Sequence, residues 1–203
     1  MSVLVVQTGV ANTASVCAAL ARCGLAPEIA SDAERIASSD RVVLPGVGSF
    51  GAGMAALRRQ GIDEALRERV ASGRKTLAVC LGLQLLAAES EESPGVEGLG
   101  LLDARVTRFP EGTTCPQFGW NRVAPPAGSG VIEPGYAYFA NSYRLRSAPN
   151  GWDAAMSEHG GPFVAAMWRS GVLACQFHPE LSGAWGLGVI KRWGESKKEA
   201  AAC

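Results

Sequence analysis

The chain has 203 residues, room for one large domain or two small ones, and its 47% apolar and 19% charged residues are those of an ordinary globular protein able to bury a full core. Lys plus Arg and Asp plus Glu each number 19, so the formal charge is zero, and no block of basic residues points to nucleic acid. No run approaches the ~18 apolar residues of a membrane span, and the apolar run at 3–6 follows no basic region and is too short for a signal peptide, so the cytoplasm is the expected location.

In chain order, residues 3–6 read as a compact buried strand. A helix capped by Asn12 or Thr13 runs to about residue 23, with Val16, Leu20 and Cys23 on one face and Gly24 as its stop. Strands follow at 27–30 and at 41–44, the second ended by Pro45-Gly46. Helical patterning returns at 53–59 and at 62–71, stopping at Gly73. A strand at 75–79 leads into a helix at about 82–88. Continuous apolar strands alternating with helices predict an open, mostly parallel twisted sheet covered by helices on both faces, an α/β fold of flavodoxin-like form. The second half changes character. Residues 95–134 are rich in Gly and Pro, with a strand-like piece at 104–107, and strands are read at 136–139, 163–168 and 172–176. Trp168 and Val172, separated by Arg169-Ser170-Gly171, form a hairpin, so an antiparallel portion is added to the sheet. A last helix covers about 183–193, and the polar, Ala-rich end at 195–203 is expected to fray. No repeat or long linker divides the chain, and residues 1–203 are expected to form a single domain.

Six cysteines are present, Cys17, Cys23, Cys80, Cys115, Cys175 and Cys203, with no CxxC pair and no spacing that suits zinc. No metal or cofactor is expected, and the plain reading of each cysteine is a small buried hydrophobe. Cys80 differs by context. It ends the run Lys75-Thr76-Leu77-Ala78-Val79 and precedes Leu81-Gly82 and a helix former. A nucleophile on a sharp strand-to-helix turn is held at the sheet's C-terminal edge, where ligands bind in open α/β folds. The helix behind it favours a thiolate, and the Leu81 backbone N–H faces a developing oxyanion. Small residues must flank such a turn, and Ala78 and Gly82 meet that need.

A thiol nucleophile needs a base. Only His159 and His178 are available. His159, in Ser157-Glu158-His159-Gly160-Gly161, belongs to an exposed turn. His178 ends an apolar strand in Phe177-His178-Pro179-Glu180, where Pro179 fixes the backbone and Glu180 lies close enough to orient the imidazole. The third element is Leu44-Pro45-Gly46-Val47-Gly48-Ser49-Phe50-Gly51, between a strand and a helix. It lacks the GxGxxG order and the Lys-Ser/Thr of a phosphate cradle, so an oxyanion donor opposite Cys80 is the better reading.

Together and in this order, PGVGSFGAGM, CLGLQLL and FHPELS resemble the class I (triad) glutamine amidotransferases, and SEESPGVEGLGLL, FGWNRV and YFANSYRL resemble further blocks of the branch that serves histidine biosynthesis. The resemblance spans nearly the whole chain. It implies a triad of Cys80, His178 and Glu180, and an oxyanion hole from backbone N–H groups at Leu81 and at Val47 or Gly48. It implies glutamine held by Gly46, Gln84 and the backbone around Asn141, Ser142 and Tyr143. It also implies a partner, a cyclase subunit of (β/α)8 form that takes up the ammonia, facing Gln117, Trp120 and Asn121. The family usually has His where Asn141 and Gln117 stand, Met at Phe118 and Gly at Ala78. None of these is a triad position.

Overall fold

The computed structural model describes residues 1–9 and 12–195, and the expectation of a frayed end at 195–203 lies, past residue 195, outside them. The elements are β1 (Ser2–Val6), α1 (Thr13–Arg22), β2 (Ala26–Ala30), α2 (Ala33–Ser38), β3 (Val42–Gly46), α3 (Phe50–Arg59), α4 (Ile62–Ala71), β4 (Thr76–Cys80), α5 (Leu81–Leu85), β5 (Ala87–Ser90), β6 (Leu102–Arg108), β7 (Gln117–Val123), β8 (Gly135–Asn141), β9 (Tyr143–Arg144), β10 (Asp153–Glu158), β11 (Pro162–Arg169), β12 (Val172–Cys175) and α6 (Gly183–Glu195). A short 3-10 turn, Pro179–Leu181, lies between the last two.

The central sheet has seven strands in the order β10-β11-β12-β4-β3-β1-β2. β2, β1, β3, β4 and β12 run parallel, while β10 and β11 are added antiparallel at one edge. The parallel part thus has the 2-1-3-4-5 order of flavodoxin-like sheets. Side chains alternate between two cores. Leu4, Leu44 and Ala78 point to the side carrying α3, α4 and α5, with Met54, Leu57, Leu66 and Leu85. Val5, Val43, Leu77 and Cys175 point to the side carrying α1 and α6, with Leu20, Ile190 and Trp193. Burial on both faces is why these strands read as unbroken apolar runs. Among the described residues no helix is long and apolar enough to cross a membrane.

Several elements differ from the sequence reading. The six-residue α2 was not expected, being too short to show a helical period. Asp32 Oδ1 caps it by accepting from Arg35 N at 2.8 Å, and the buried Arg69 guanidinium donates to the carbonyls of Ile36 and Ser39 at 2.9 and 2.6 Å. α3 starts at Phe50 rather than at 53, because its first N–H groups have acceptors: Glu92 Oε2 for Phe50 at 2.6 Å, Ser93 Oγ for Gly51 at 3.0 Å and Ser49 Oγ for Ala52 at 3.4 Å. α5 stops at Leu85, short of the expected 88, and β5 follows. The Leu86 carbonyl there receives the N–H groups of Leu101 and Leu102, and Gly98 lies so close to the Ala87 carbonyl that a Cβ would stand 2.1 Å from its oxygen. β7, inside the Gly- and Pro-rich stretch, and β10, whose last two residues read as part of the turn at His159, are strands: β7 pairs antiparallel with β8, and β10 with β11.

Candidate active site

Cys80 closes β4 in register with Gly46 of β3, and Cys175 of β12 pairs with Val79 one step behind. Cys80 has φ 53° and ψ −109°, a conformation that costs a residue with a Cβ on the order of 1–3 kcal/mol. Tight backbone packing holds it there. A Cβ on Gly82 would lie 2.1 Å from the Leu44 carbonyl oxygen, and one on Gly46 would lie 2.8 Å from Leu81 Cβ. The need for a small residue after the turn is met at Gly82, while Ala78 sits inside the sheet, fully buried. The α5 helix is only five residues long, so its dipole is a smaller influence on the sulfur than the sequence reading assigned. Side chains supply the contacts instead.

His178 lies past the end of β12, 6% exposed. Its backbone is fixed twice over: His178 N donates to Tyr138 O at 2.9 Å, and Ser182 Oγ donates to His178 O at 2.6 Å while accepting from Tyr138 N at 2.9 Å. His178 Nδ1 meets Glu180 Oε1 at 2.8 Å, and Cys80 lines the same cavity as the ring, near enough to act on its charge. Cysteine, histidine and glutamate are thus gathered at the C-terminal edge of the sheet. Glu180 is brought round by the 3-10 turn that Pro179 begins, and its Oε2 is buried without a hydrogen-bond partner.

Burial works against charge on His178, but hydrogen bonds with Cys80 and Glu180 and the negative charge of both outweigh it and raise the imidazole to about 10. The arrangement stabilises an imidazolium, the state a base reaches after taking a thiol proton. Cys175, fully enclosed one strand away, has its thiol pushed well above the ordinary range by burial and then by Glu180, which makes it inert. A histidine with a higher pKa in the folded protein than the ordinary 6.5 stabilises the fold fully below that pH, and its contribution is lost as the pH climbs through about 10. Glu180→Gln removes a charge and keeps an acceptor for Nδ1. The His178 titration followed by NMR should move to lower pH, and the decline in melting temperature from pH 6.5 to 10 should become shallower. An unchanged His178 midpoint would exclude Glu180 as a cause of the shift.

The site opens on a cavity of about 360 Å³. Val47, Gly48, Leu81, Gln84, Asn141, Ser142 and Tyr143 all line it with Cys80 and His178. Gly46 lies behind them, against Leu81, and borders a separate cavity of about 270 Å³ with His178 and Glu180. Gly48 has φ +95°, a conformation suited to glycine. Asn141 Nδ2 donates to Tyr143 O at 3.0 Å, leaving its Oδ1 buried and unpartnered. Gln84 Nε2 donates to Tyr143 O and to Gln176 Oε1, both at 3.0 Å, so only its Oε1 is left for a ligand. Glu92 also lines the cavity, and Gln176 Nε2 lies 3.8 Å from Cys80 Sγ. Neither had been singled out from the sequence. Glu92 stands in the quoted SEE block, and Gln176 two residues before His178, which was the only available signal for each.

Of the residues expected at a partner face, Trp120 is 59% exposed, and Phe118 and Tyr136 beside it on the β7–β8 ribbon are 70% and 61% exposed. Gln117 is buried, since β7 alternates and turns it inward, and Asn121 Nδ2 donates to Glu158 O at 2.8 Å. His159 is half-buried, edge-on to Phe109, with Nε2 2.7 Å from Thr114 O, and does not line the cavity.

A family model described as the SNO glutamine amidotransferase family matches residues 3–186. Imidazole glycerol phosphate synthase subunit HisH of Symbiobacterium thermophilum is 41% identical over 95% of this chain and 92% of that protein. The subunit of the same name from Escherichia coli is 38% identical over 95% of this chain and 98% of its own. Among solved structures, one titled as a glutamine amidotransferase aligns with TM-score 0.75 at 22% identity, covering 94% of this chain and 98% of its own. PurLQS from Thermotoga maritima aligns with TM-score 0.71 at 16% identity, covering 95% and 96%. At those identities the two structures show a shared fold.

Proposed function

The chain belongs to the SNO glutamine amidotransferase family, and from that premise we propose that it is the glutaminase subunit of imidazole glycerol phosphate synthase, hydrolysing glutamine to glutamate and ammonia for L-histidine biosynthesis in the cytoplasm. Residues 1–203 act as one amidotransferase domain. The observation that carries the reading is the His178–Glu180 hydrogen bond beside Cys80, with the thiol and the imidazole lining one small cavity.

In the proposed reaction His178 takes the thiol proton, and Cys80 Sγ attacks the side-chain amide carbon of glutamine. The oxyanion is met by backbone N–H groups at Leu81 and at Val47 or Gly48, where losing one such donor typically costs about 3 kcal/mol. His178 then protonates the leaving nitrogen, ammonia departs, and a thioester remains on Cys80. Water, activated by the same imidazole, hydrolyses the thioester to glutamate and restores the thiol. Glu180 stabilises the imidazolium and fixes the ring without taking the proton. Gly46, Gln84, Asn141, Ser142 and Tyr143 hold the substrate, supported by the open acceptors on Asn141 and Gln84.

Ammonia released into water at neutral pH is protonated and lost as a nucleophile, so the chemistry calls for a sealed route to a second enzyme. The partner in this reading is the cyclase subunit of imidazole glycerol phosphate synthase, whose products would be imidazole glycerol phosphate and aminoimidazole carboxamide ribonucleotide. Gln117, Trp120 and Asn121 stand in the ribbon proposed to face it, and the exposure of Phe118, Trp120 and Tyr136 supports that choice. The test is glutamate release measured with and without a purified cyclase subunit. Release should be slow alone and rise roughly tenfold or more in the complex, the scale of a coupling of one to two kcal/mol. No glutamate in either condition would overturn the enzyme reading, and a rate indifferent to the cyclase would overturn the choice of partner.

A further inference from the structure

Gln176 extends β12 by one residue, donating its backbone N–H to Ala165 O at 2.8 Å, and is wholly buried. A side-chain amide in such a place must find partners. Its oxygen lies 3.0 Å from Gln84 Nε2, and its nitrogen lies 3.8 Å from Cys80 Sγ. A terminal amide can sit either way round, but here a backbone carbonyl settles the matter. Tyr143 O only accepts, so the Gln84 atom 3.0 Å from it is nitrogen. That same nitrogen faces Gln176, so the Gln176 atom opposite must accept and is its oxygen. The Gln176 nitrogen is thereby turned to the sulfur.

Resting on the reading of Cys80 as nucleophile, we propose that Gln176 is a further catalytic residue, whose Nε2–H donates to the Cys80 sulfur and stabilises the thiolate, held in that orientation by Gln84 from the Tyr143 carbonyl. A donor that favours the charged form shifts the thiol toward ionisation. The amide stays neutral at every working pH, so unlike His178 it does so without competing for the proton. The same bond serves when water breaks the thioester, because sulfur then leaves with the electron pair of the C–S bond and regains its negative charge. Gln84 is, in this view, a positioning residue for the nucleophile as well as a substrate contact.

The test is the pH dependence of Cys80 alkylation by iodoacetamide in the full chain, read by mass spectrometry on the Cys80 peptide. In Gln176→Leu the pH of half-maximal reaction should rise by about one unit, the effect of losing one hydrogen bond to a charged acceptor. In Gln176→Glu, which keeps an acceptor for Gln84 but sets a carboxylate against the sulfur, it should rise further. A folded variant of either kind with the native midpoint overturns the proposal. In the native chain labelled with isotopic glutamine, the Gln176 side-chain amide resonance should titrate with the midpoint of Cys80 alkylation, and an amide that ignores that transition also overturns it. Failure of the underlying reading looks different, since glutamine turnover would then survive replacement of Cys80 itself.

Discussion

Replacing Cys80 by alanine should abolish glutamine-dependent synthesis by the chain reconstituted with the cyclase subunit proposed as its partner, while synthesis from added ammonium salts continues at the native rate. The asymmetry follows from the chemistry. Without Sγ no thioester forms, and the next thiol in the sheet, Cys175, is enclosed and held protonated by its burial. Ammonia supplied from solution bypasses this subunit's chemistry altogether. The residual glutamine rate should fall by at least about 10⁴-fold, as when a nucleophile is removed from a triad that works as a unit. Glutamine-supported turnover by the alanine variant would show that another group attacks. His178→Ala should behave alike. A loss in His159→Ala that His178→Ala does not share would transfer the base to the Phe109-packed ring and undo the assignment.

Gly82→Ala should be a severely damaging single-methyl change, at the turn that carries Cys80. The new Cβ would lie 2.1 Å from the Leu44 carbonyl oxygen and 3.2 Å from its carbon, so β3 and α5 must separate before it fits. Both neighbours are backbone, and no side-chain rotation relieves the clash. The expected cost is about 3 kcal/mol, at the upper end for a methyl forced into a packed interior, and denaturant melts would register it as a lower midpoint with an unchanged slope. Parting β3 from α5 also moves Gly46 away from Cys80, so alkylation of Cys80 and glutamine turnover should fall with stability. A variant of native stability and activity would show that Gly82 does not set the turn.

Strand, helix and site were legible in the sequence where one local pattern carried the signal. β1, β3, β4 and β12 showed as apolar runs because both their faces are buried, and α1, α4 and α6 showed by periodicity and stop signals. The short α2 lacks a period to detect. β7 was hidden by the glycine at 119, whose φ of +126° is unusual inside a strand, and by the Gly- and Pro-rich surroundings that argued for loop. Cys80, His178 and Glu180 stood out because a nucleophile needs a base and the base an acid, and two of the three are close in sequence. Gln176 and Glu92 escaped because their roles depend on partners 96 and 42 residues away, at Cys80 and Phe50. Nothing within a few residues of either reports those contacts.

The loop of bonds joining Tyr138, His178 and Ser182 makes one strand of the outer ribbon a structural neighbour of the imidazole proposed as the base. β8 carries Tyr138 in its middle, Asn141 at its cavity end, and along its other edge the strand bearing Phe118 and Trp120. Trp120 stands opposite Tyr138 in the ribbon, and Tyr138 is bonded directly to the main chain of residue 178. A body resting on the ribbon would therefore lie one strand away from the main chain that holds residue 178.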